Sequence, residues 1–246
     1  MKLVAAAAIL ALAVPALAVV GHAEQAVTWR FDNLSGIGGA QVTTVGNPKV
    51  VDTPIGKAIH FEGHGNPDPN NPESGNPLGD ALFLDTAPLS GFATYTFEVI
   101  FRPSSQGALA QRFFHMQDLH SQSRRMFEIR IRNHQWCLDT VGIDQRGNAP
   151  EQHGVTLACD AAHLHSLDRW HVVAATYDGK TLRGYVDGEL QGEIAIALQP
   201  LPPGHASVGT RIDKRDFFTG DIYSARFTPR VVSAADFLKV PGSDTQ

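Results

Sequence analysis

The segment Met126-Phe127-Glu128-Ile129-Arg130-Ile131-Arg132 alternates apolar and charged residues without a break. Strict period two specifies a half-buried strand, with Phe127, Ile129 and Ile131 toward a core and Glu128, Arg130 and Arg132 on the opposite face. Two neighbouring runs read the same way. In Thr94–Arg102, Tyr95, Phe97, Val99 and Phe101 share one face and Glu98 lies on the other; in Gln111–Met116 the outward residue is Arg112 or His115. If the three strands lie in one sheet, its exposed face gathers carboxylates, an imidazole and several guanidinium groups. Guanidinium forks suit carboxylates and sulfates in a bidentate manner. His115, with an ordinary pKa near neutrality, is the candidate base beside Glu128 and Arg130. A solvated face with cross-strand Glu–Arg pairs would use the same residues for no chemistry.

The elements around these strands are β throughout. Trp170-His171-Val172-Val173-Ala174-Ala175-Thr176-Tyr177 meets Asp178-Gly179, and the chain turns back through Leu182–Val186 into Asp187-Gly188. Asp-Gly pairs supply the positive φ values of primed hairpin turns, so a three-strand antiparallel meander ending near Leu198 is expected. Further strands are expected at Val27–Phe31, Gln41–Val45, Lys49–Val51, Gly56–Gly63, Ala81–Leu84, Trp136–Val141, Val155–Cys159, Ala206–Gly209 and Phe217–Phe227. Ser233-Ala234-Ala235-Asp236-Phe237-Leu238, with a capping serine and an acid at its third helical position, predicts a short C-terminal helix. His64–Gly79 interleaves Pro67, Pro69, Pro72 and Pro77 with asparagines and is a loop. Long loops tend to carry function, and this one is expected to rim a binding surface.

Met1-Lys2 followed by an uncharged run from Leu3 to Val20 reads as a signal peptide over residues 1–23, cleaved after Ala18 or Ala23. The expectation is a secreted or periplasmic protein with no membrane attachment after cleavage and one domain over 24–246. Loss of Lys2 leaves 19 Lys and Arg against 25 Asp and Glu, a formal −6. A mildly acidic chain is a poor candidate for nucleic acid. Cys137 and Cys159 suggest one disulfide in an exported protein. The midpoint between them is Asn148, so a hairpin turning at Gly147-Asn148 sets them opposite one another, and the bridge is worth about 3 kcal/mol by loop entropy. His163 and His165, with His153 and His171 nearby, share a spacing compatible with metal ligation, but no acid accompanies them at a diagnostic distance.

The wording Trp-His-Val-Val-Ala, Tyr-Asp-Gly and Tyr-Val-Asp-Gly resembles the laminin G-like branch of the concanavalin A-like jelly rolls, over roughly residues 50 to 240. The glycine-closed strand Gly56–Gly63 and the final strand with Asp221 and Arg226 share the resemblance. It implies an all-β, two-sheet antiparallel jelly-roll sandwich and a polar sheet face on which relatives bind or cut glycans. The first expectation is therefore a carbohydrate-binding protein whose partner is a glycan, neutral or acidic, with Glu98, Arg112, Arg124, Arg132 and Trp136 as binding residues. Trp170 is a further candidate platform, although the matching residue is usually core.

The second is a glycan-active enzyme built on His115, Glu128 and Arg130. Laminarinase-like relatives carry Glu-x-Asp-x-x-Glu, whereas this strand has no second acid. Alginate-lyase-like relatives carry Arg-x-Glu-x-Arg, and here Met126 stands at the first arginine, with Arg124 and Arg132 of the same parity as substitutes. The third is a protein-interaction or envelope-structural module. Some laminin G-like domains hold Ca2+, for which Asp68, Glu73 and Asp80 could serve; the oxygen ligands are too sparse to indicate it, and no cofactor is expected.

Overall fold

The computed structural model describes residues 25–63 and 79–242. The apolar leader, nearly all of the Pro-Asn loop and with it Asp68 and Glu73 lie outside the described residues. In chain order the first strands are β1 (Val27–Arg30), β2 (Gly36–Ile37), β3 (Ala40–Val45), β4 (Lys49–Thr53), β5 (Gly56–Phe61) and β6 (Ala81–Leu84). Then come β7 (Tyr95–Pro103), β8 (Ala110–Asp118), β9 (Arg124–Arg132), β10 (Gln135–Asp144), β11 (Gln152–Val155) and β12 (His165–Ser166). The last are β13 (His171–Tyr177), β14 (Thr181–Val186), β15 (Glu189–Ala195), β16 (Gly204–Val208) and β17 (Gly220–Thr228). They form two antiparallel sheets. One is ordered β15-β14-β13-β7-β17-β5-β4 with β1 beside β17; the other is ordered β11-β10-β9-β8-β16-β6-β3-β2 with β12 beside β10. The result is the jelly-roll sandwich that the resemblance to laminin G-like domains implied.

The sheets meet across an aromatic seam. Phe97 stacks on Phe127 of the facing sheet at 4.4 Å, and Phe101 on Phe113 at 4.5 Å. All four rings are buried, and rings of this size dominate core energetics. One irregularity decides what faces outward. Arg112 pairs with Glu128 and Phe114 with Phe127, so Phe113 is an extra residue in β8. The bulge lets Phe113 and Phe114 both enter the core, and it turns Arg112 and His115 out together. The choice between those two residues is thereby replaced by both.

Local turn chemistry accounts for the hairpins. Asn133 and His134, at φ 49° and 59°, make the two-residue primed turn between β9 and β10, and Asp187-Gly188 at φ 50° and 86° does the same between β14 and β15. The Asp178-Gly179 turn is longer than a two-residue hairpin, since Tyr177 pairs with Leu182. Asp178 Oδ1 accepts from the Lys180 and Thr181 N–H groups and closes it.

Cys137 and Cys159 are joined, with their Cα atoms 5.3 Å apart. The strand expected at Val155–Cys159 lies earlier, at Gln152–Val155, and Cys159 sits beyond its end. The C-terminal helix is a single 3-10 turn, Ala234–Asp236, capped by Ser233. Tertiary contacts end it: Phe237 turns extended to pack on Tyr185, and the Leu238 N–H donates to Glu98 at 2.6 Å.

The outer face of the eight-stranded sheet is held by ion pairs. Glu98, fully buried, receives both Arg226 donors at 2.6 and 2.8 Å. Nearby, Arg102 donates to Asp221 at 2.6 Å and lies over the half-buried Trp170 ring at 5.4 Å, while His60 Nδ1 donates to Asp221 at 2.8 Å. The Asp221 hydrogen bond, opposed by burial and helped by Glu62, raises the His60 pKa from 6.5 to about 8. A raised histidine stabilises the fold fully below pH 6.5, and the contribution is lost as pH rises through about 8. With the side chain 30% exposed, solvent screening leaves about 1 kcal/mol of that shift. Urea denaturation across this window should show the decline, and His60→Ala should remove it; equal slopes in both proteins would refute the assignment.

Candidate functional site

The ladders of the nine-stranded sheet align one outward row across seven strands: Thr43, Phe83, Ser207, His115, Met126, Val141 and Val155 are successive register partners. A second row, Arg112, Glu128 and Asp139, runs beside it across β8, β9 and β10. At the β9–β11 end these rows line a cleft of about 220 Å3, with Met126, Val141, Ile143 and Val155 as apolar surface. Arg112, Arg124, Glu128, Arg130, Asp139, His153 and Arg211 supply its polar wall.

Glu128 is the hub. Arg130 donates to its Oε2 at 2.8 Å and Arg112 Nε lies 2.8 Å from its Oε1, while Arg112 Nη1 reaches Asp216 at 2.6 Å. Asp139, directly across the ladder, is 3.8 Å from Arg130. Burial first, and then the neighbouring Glu128 charge, push the Asp139 pKa up to about 6. Its Oδ1 is buried with no hydrogen-bond partner among the described residues. Arg124 differs from the other cleft arginines. Its Nη1 donates to the Gln122 carbonyl at 2.8 Å, but among the described residues it has no carboxylate within ion-pair distance, and its Nε is buried without a partner. Burial, reinforced by Arg211, depresses its pKa.

A strap, residues 210–216, crosses the face beside this cleft. Thr210 Oγ1 donates to the Arg215 carbonyl, Arg211 N–H donates to the same carbonyl, and Lys214 and Asp216 take positive φ values of 57° and 56° to close the loop. The Ile212 N–H donates to His115 Nδ1 at 3.1 Å and roofs that residue.

The cleft therefore contains Arg112, Arg124, Glu128 and Arg130 from the sequence-derived set and excludes the rest. His115 is buried under the strap, its Nε2 has no partner among the described residues, and burial first, then Arg211 and Arg124, hold its pKa well below 6.5. It does not line the cleft, so it has no path to a substrate lying beside Glu128. Glu98 is on the other sheet, because β7 pairs with β13 and β17 rather than β8. Trp136 is no platform: it is a core residue, edge-on to Phe101 at 5.2 Å, with its Nε1 donating to the Ser166 carbonyl. Arg132 is exposed at the β9–β10 turn, outside the cleft.

Of the four histidines, His165 and His171 come together, their ring centres 6.1 Å apart against Trp136. His163 pairs with Asp160, His165 with Gln191 and His171 with Asp187. Among the described residues no group of three or more His, Cys, Asp or Glu side chains is placed to hold a metal ion. Asp80 instead accepts from the Asn47 and Glu62 N–H groups.

Sequence reading missed Asp139, Arg211 and Asp216. Asp139 was findable, since the Asn133-His134 turn carries position 139 opposite 128. Arg211 and Asp216 leave no periodic signal because they lie on a strap.

This two-sheet architecture defines a jelly-roll domain with a charged cleft on one outer face. A laminin G family model described as concanavalin A-like lectin/glucanases superfamily matches residues 75–236, and the chain belongs to that family. No curated protein matches the chain. Among solved structures, domain 4 of AbnA, a GH43 extracellular arabinanase from Geobacillus stearothermophilus in complex with arabinotriose, is similar at 16% identity and TM-score 0.56, covering 86% of this chain and 97% of that one. The binding domain of botulinum neurotoxin DC in complex with SialylT aligns at 11% identity and TM-score 0.56, over 86% of this chain and 49% of that one. A botulinum neurotoxin type C structure, whose cell entry depends on two ganglioside molecules, aligns at 10% identity, TM-score 0.56 and the same coverages. The chain spans about half the length of these neurotoxin chains, and at such identities the likeness is one of fold.

Proposed function

We propose that the protein is a secreted or periplasmic glycan-binding module that uses the arginine cleft for an acidic sugar unit. The observation that carries this reading is Arg124: a half-buried guanidinium without a carboxylate, lining a cleft whose other arginines are each paired with one. A uronate or sulfate group would complete it in the bidentate manner that arginine favours. The volume of about 220 Å3 is below the roughly 300–1,000 Å3 of drug-sized pockets, which suits one ring rather than a buried chain. That the structural neighbours include saccharide-bound domains supports the ligand class. Binding is favoured over catalysis because His115 is roofed and Glu128 is held between two guanidinium groups.

The pH dependence follows from Asp139. Its charge opposes an anionic ligand above pH about 6 and is lost as pH falls through that value, so affinity rises toward acid. Calorimetry with polygalacturonate and alginate oligomers should show tighter binding at pH 5 than at pH 7.5, a flatter profile in Asp139→Asn, and a loss of about tenfold or more in Arg124→Ala. Reducing ends and ultraviolet absorbance of unsaturated products should not increase. Unchanged affinity in Arg124→Ala would refute the assignment.

A further inference from the structure

On the other side of the strap the same sheet face opens into a second cleft, of about 320 Å3. Its construction differs from that of the arginine cleft. Phe83 of β6 forms the floor with Ile212 of the strap, and Gln41, Thr43, Asp85 and His205 surround it. Register explains the grouping. Thr43 lies opposite Phe83, and Leu84 pairs with both Val42 and Ala206, so the next residues along, Gln41, Asp85 and His205, stand abreast on one side of the ring.

None of these four polar side chains has a hydrogen-bond partner among the described residues, and His205 Nε2 is buried as well as unpartnered. An amide, a hydroxyl, a carboxylate and an imidazole thus keep their hydrogen-bonding groups free around an aromatic ring. Gln41, Thr43 and Asp85 are exposed, but buried polar atoms are ordinarily paired, so the buried His205 Nε2 left without a partner beside them is the atom that points to a ligand. Lys214 lies over the Phe83 ring at 5.9 Å, an exposed contact on a long flexible stem that a ligand can displace.

We propose that this cleft is a second saccharide site, taking a neutral sugar ring stacked on Phe83. The ring supplies an apolar face for the C–H face of a sugar, and the four polar side chains supply donors and acceptors for its hydroxyl groups. Neutrality follows from charge: the Asp85 carboxylate and the Lys214 ammonium offset one another, and burial lowers the His205 pKa, which disfavours a further cation there. The volume, at the lower end of the roughly 300–1,000 Å3 typical of ligand pockets, admits one or two rings. The proposal extends the glycan-binding reading to a second and chemically different unit, and its residues are not those of the arginine cleft.

The test is calorimetry of the full protein with arabinotriose, xylotriose and cellotriose. At least one should bind, Phe83→Ala should weaken it about tenfold or more, and Asp85→Ala, at an exposed position that leaves the fold intact, about threefold. Arg124→Ala should leave it unchanged. Absence of binding by all three, or binding that survives both Phe83→Ala and Asp85→Ala, overturns the proposal. Sensitivity to Arg124→Ala alone would assign neutral sugars to the arginine cleft and overturn it equally. Neutral binding that depends on Phe83, with acidic binding absent, would uphold this site and reject the other.

Discussion

Replacing Arg112 with alanine should weaken acidic-glycan binding about tenfold or more and destabilise the fold by about 3 kcal/mol. Arg112 spans two carboxylates, Glu128 on β9 and Asp216 on the strap. The Glu128 side chain is only 4% exposed, so removing Arg112 leaves a nearly buried carboxylate one guanidinium short. The unbalanced charge also bears on Asp139 across the ladder. The strap keeps a backbone tie, because the Arg112 N–H donates to the Asp216 carbonyl, but its side-chain anchor is lost. Arg112→Lys retains the charge without the fork and should recover part of the stability and little of the affinity. Urea denaturation and calorimetry measure the two effects separately. A variant with wild-type stability would mean that Glu128 is solvated, and one with wild-type affinity would detach the cleft from function.

Arg226→Ala should cost more stability, about 3–5 kcal/mol, and leave glycan affinity untouched. Glu98 is fully buried and receives two hydrogen bonds from Arg226; only the Leu238 N–H would remain to it. Arg226 also donates to the Asp236 carbonyl, so the closing 3-10 turn loses its tether together with the ion pair. The lesion lies on the eight-stranded sheet, facing away from both clefts. A loss below about 1 kcal/mol, the range of exposed pairs, would refute burial of the pair, and a change in affinity would show that the sheets communicate.

The contrast between Arg112 and Arg226 marks how far the sequence could be read. Alternation along Met126–Arg132 located β9 and the outward set on it, because period two is a local property of a half-buried strand. The meander from Trp170 was equally legible from its β-branched runs and Asp-Gly turns. Sheet membership was not. The outward faces of β7 and β9 look alike in sequence, each with a glutamate among arginines or threonines, yet the short connection 104–109 carries the chain from one sheet to the other and puts Glu98 and Glu128 on opposite sides of the sandwich. Parity failed at β8 as well, since a bulge at Phe113 is indistinguishable from two adjacent core phenylalanines. Trp136 was misplaced because a tryptophan beside a charged strand reads equally as platform or core, and only its parity with Leu138 separates them. The strap was beyond sequence reading: Arg211, Ile212 and Asp216 acquire their roles from where residues 210–216 cross the sheet.

The bridge between Cys137 and Cys159 has a consequence for the edge of the sheet. Val141 faces Val155 and Gly142 faces Gly154, and the same count carried outward brings 137 to 159. The covalent link and the ladder therefore encode one register. An edge strand of four residues could otherwise slide by one position, which would turn Val155 and His153 to the opposite faces and dismantle one wall of the cleft. With Cys159 tied to β10, that alternative pairing is disfavoured in the oxidised chain, and β11 is kept close to its own partner rather than presented to a strand of another molecule.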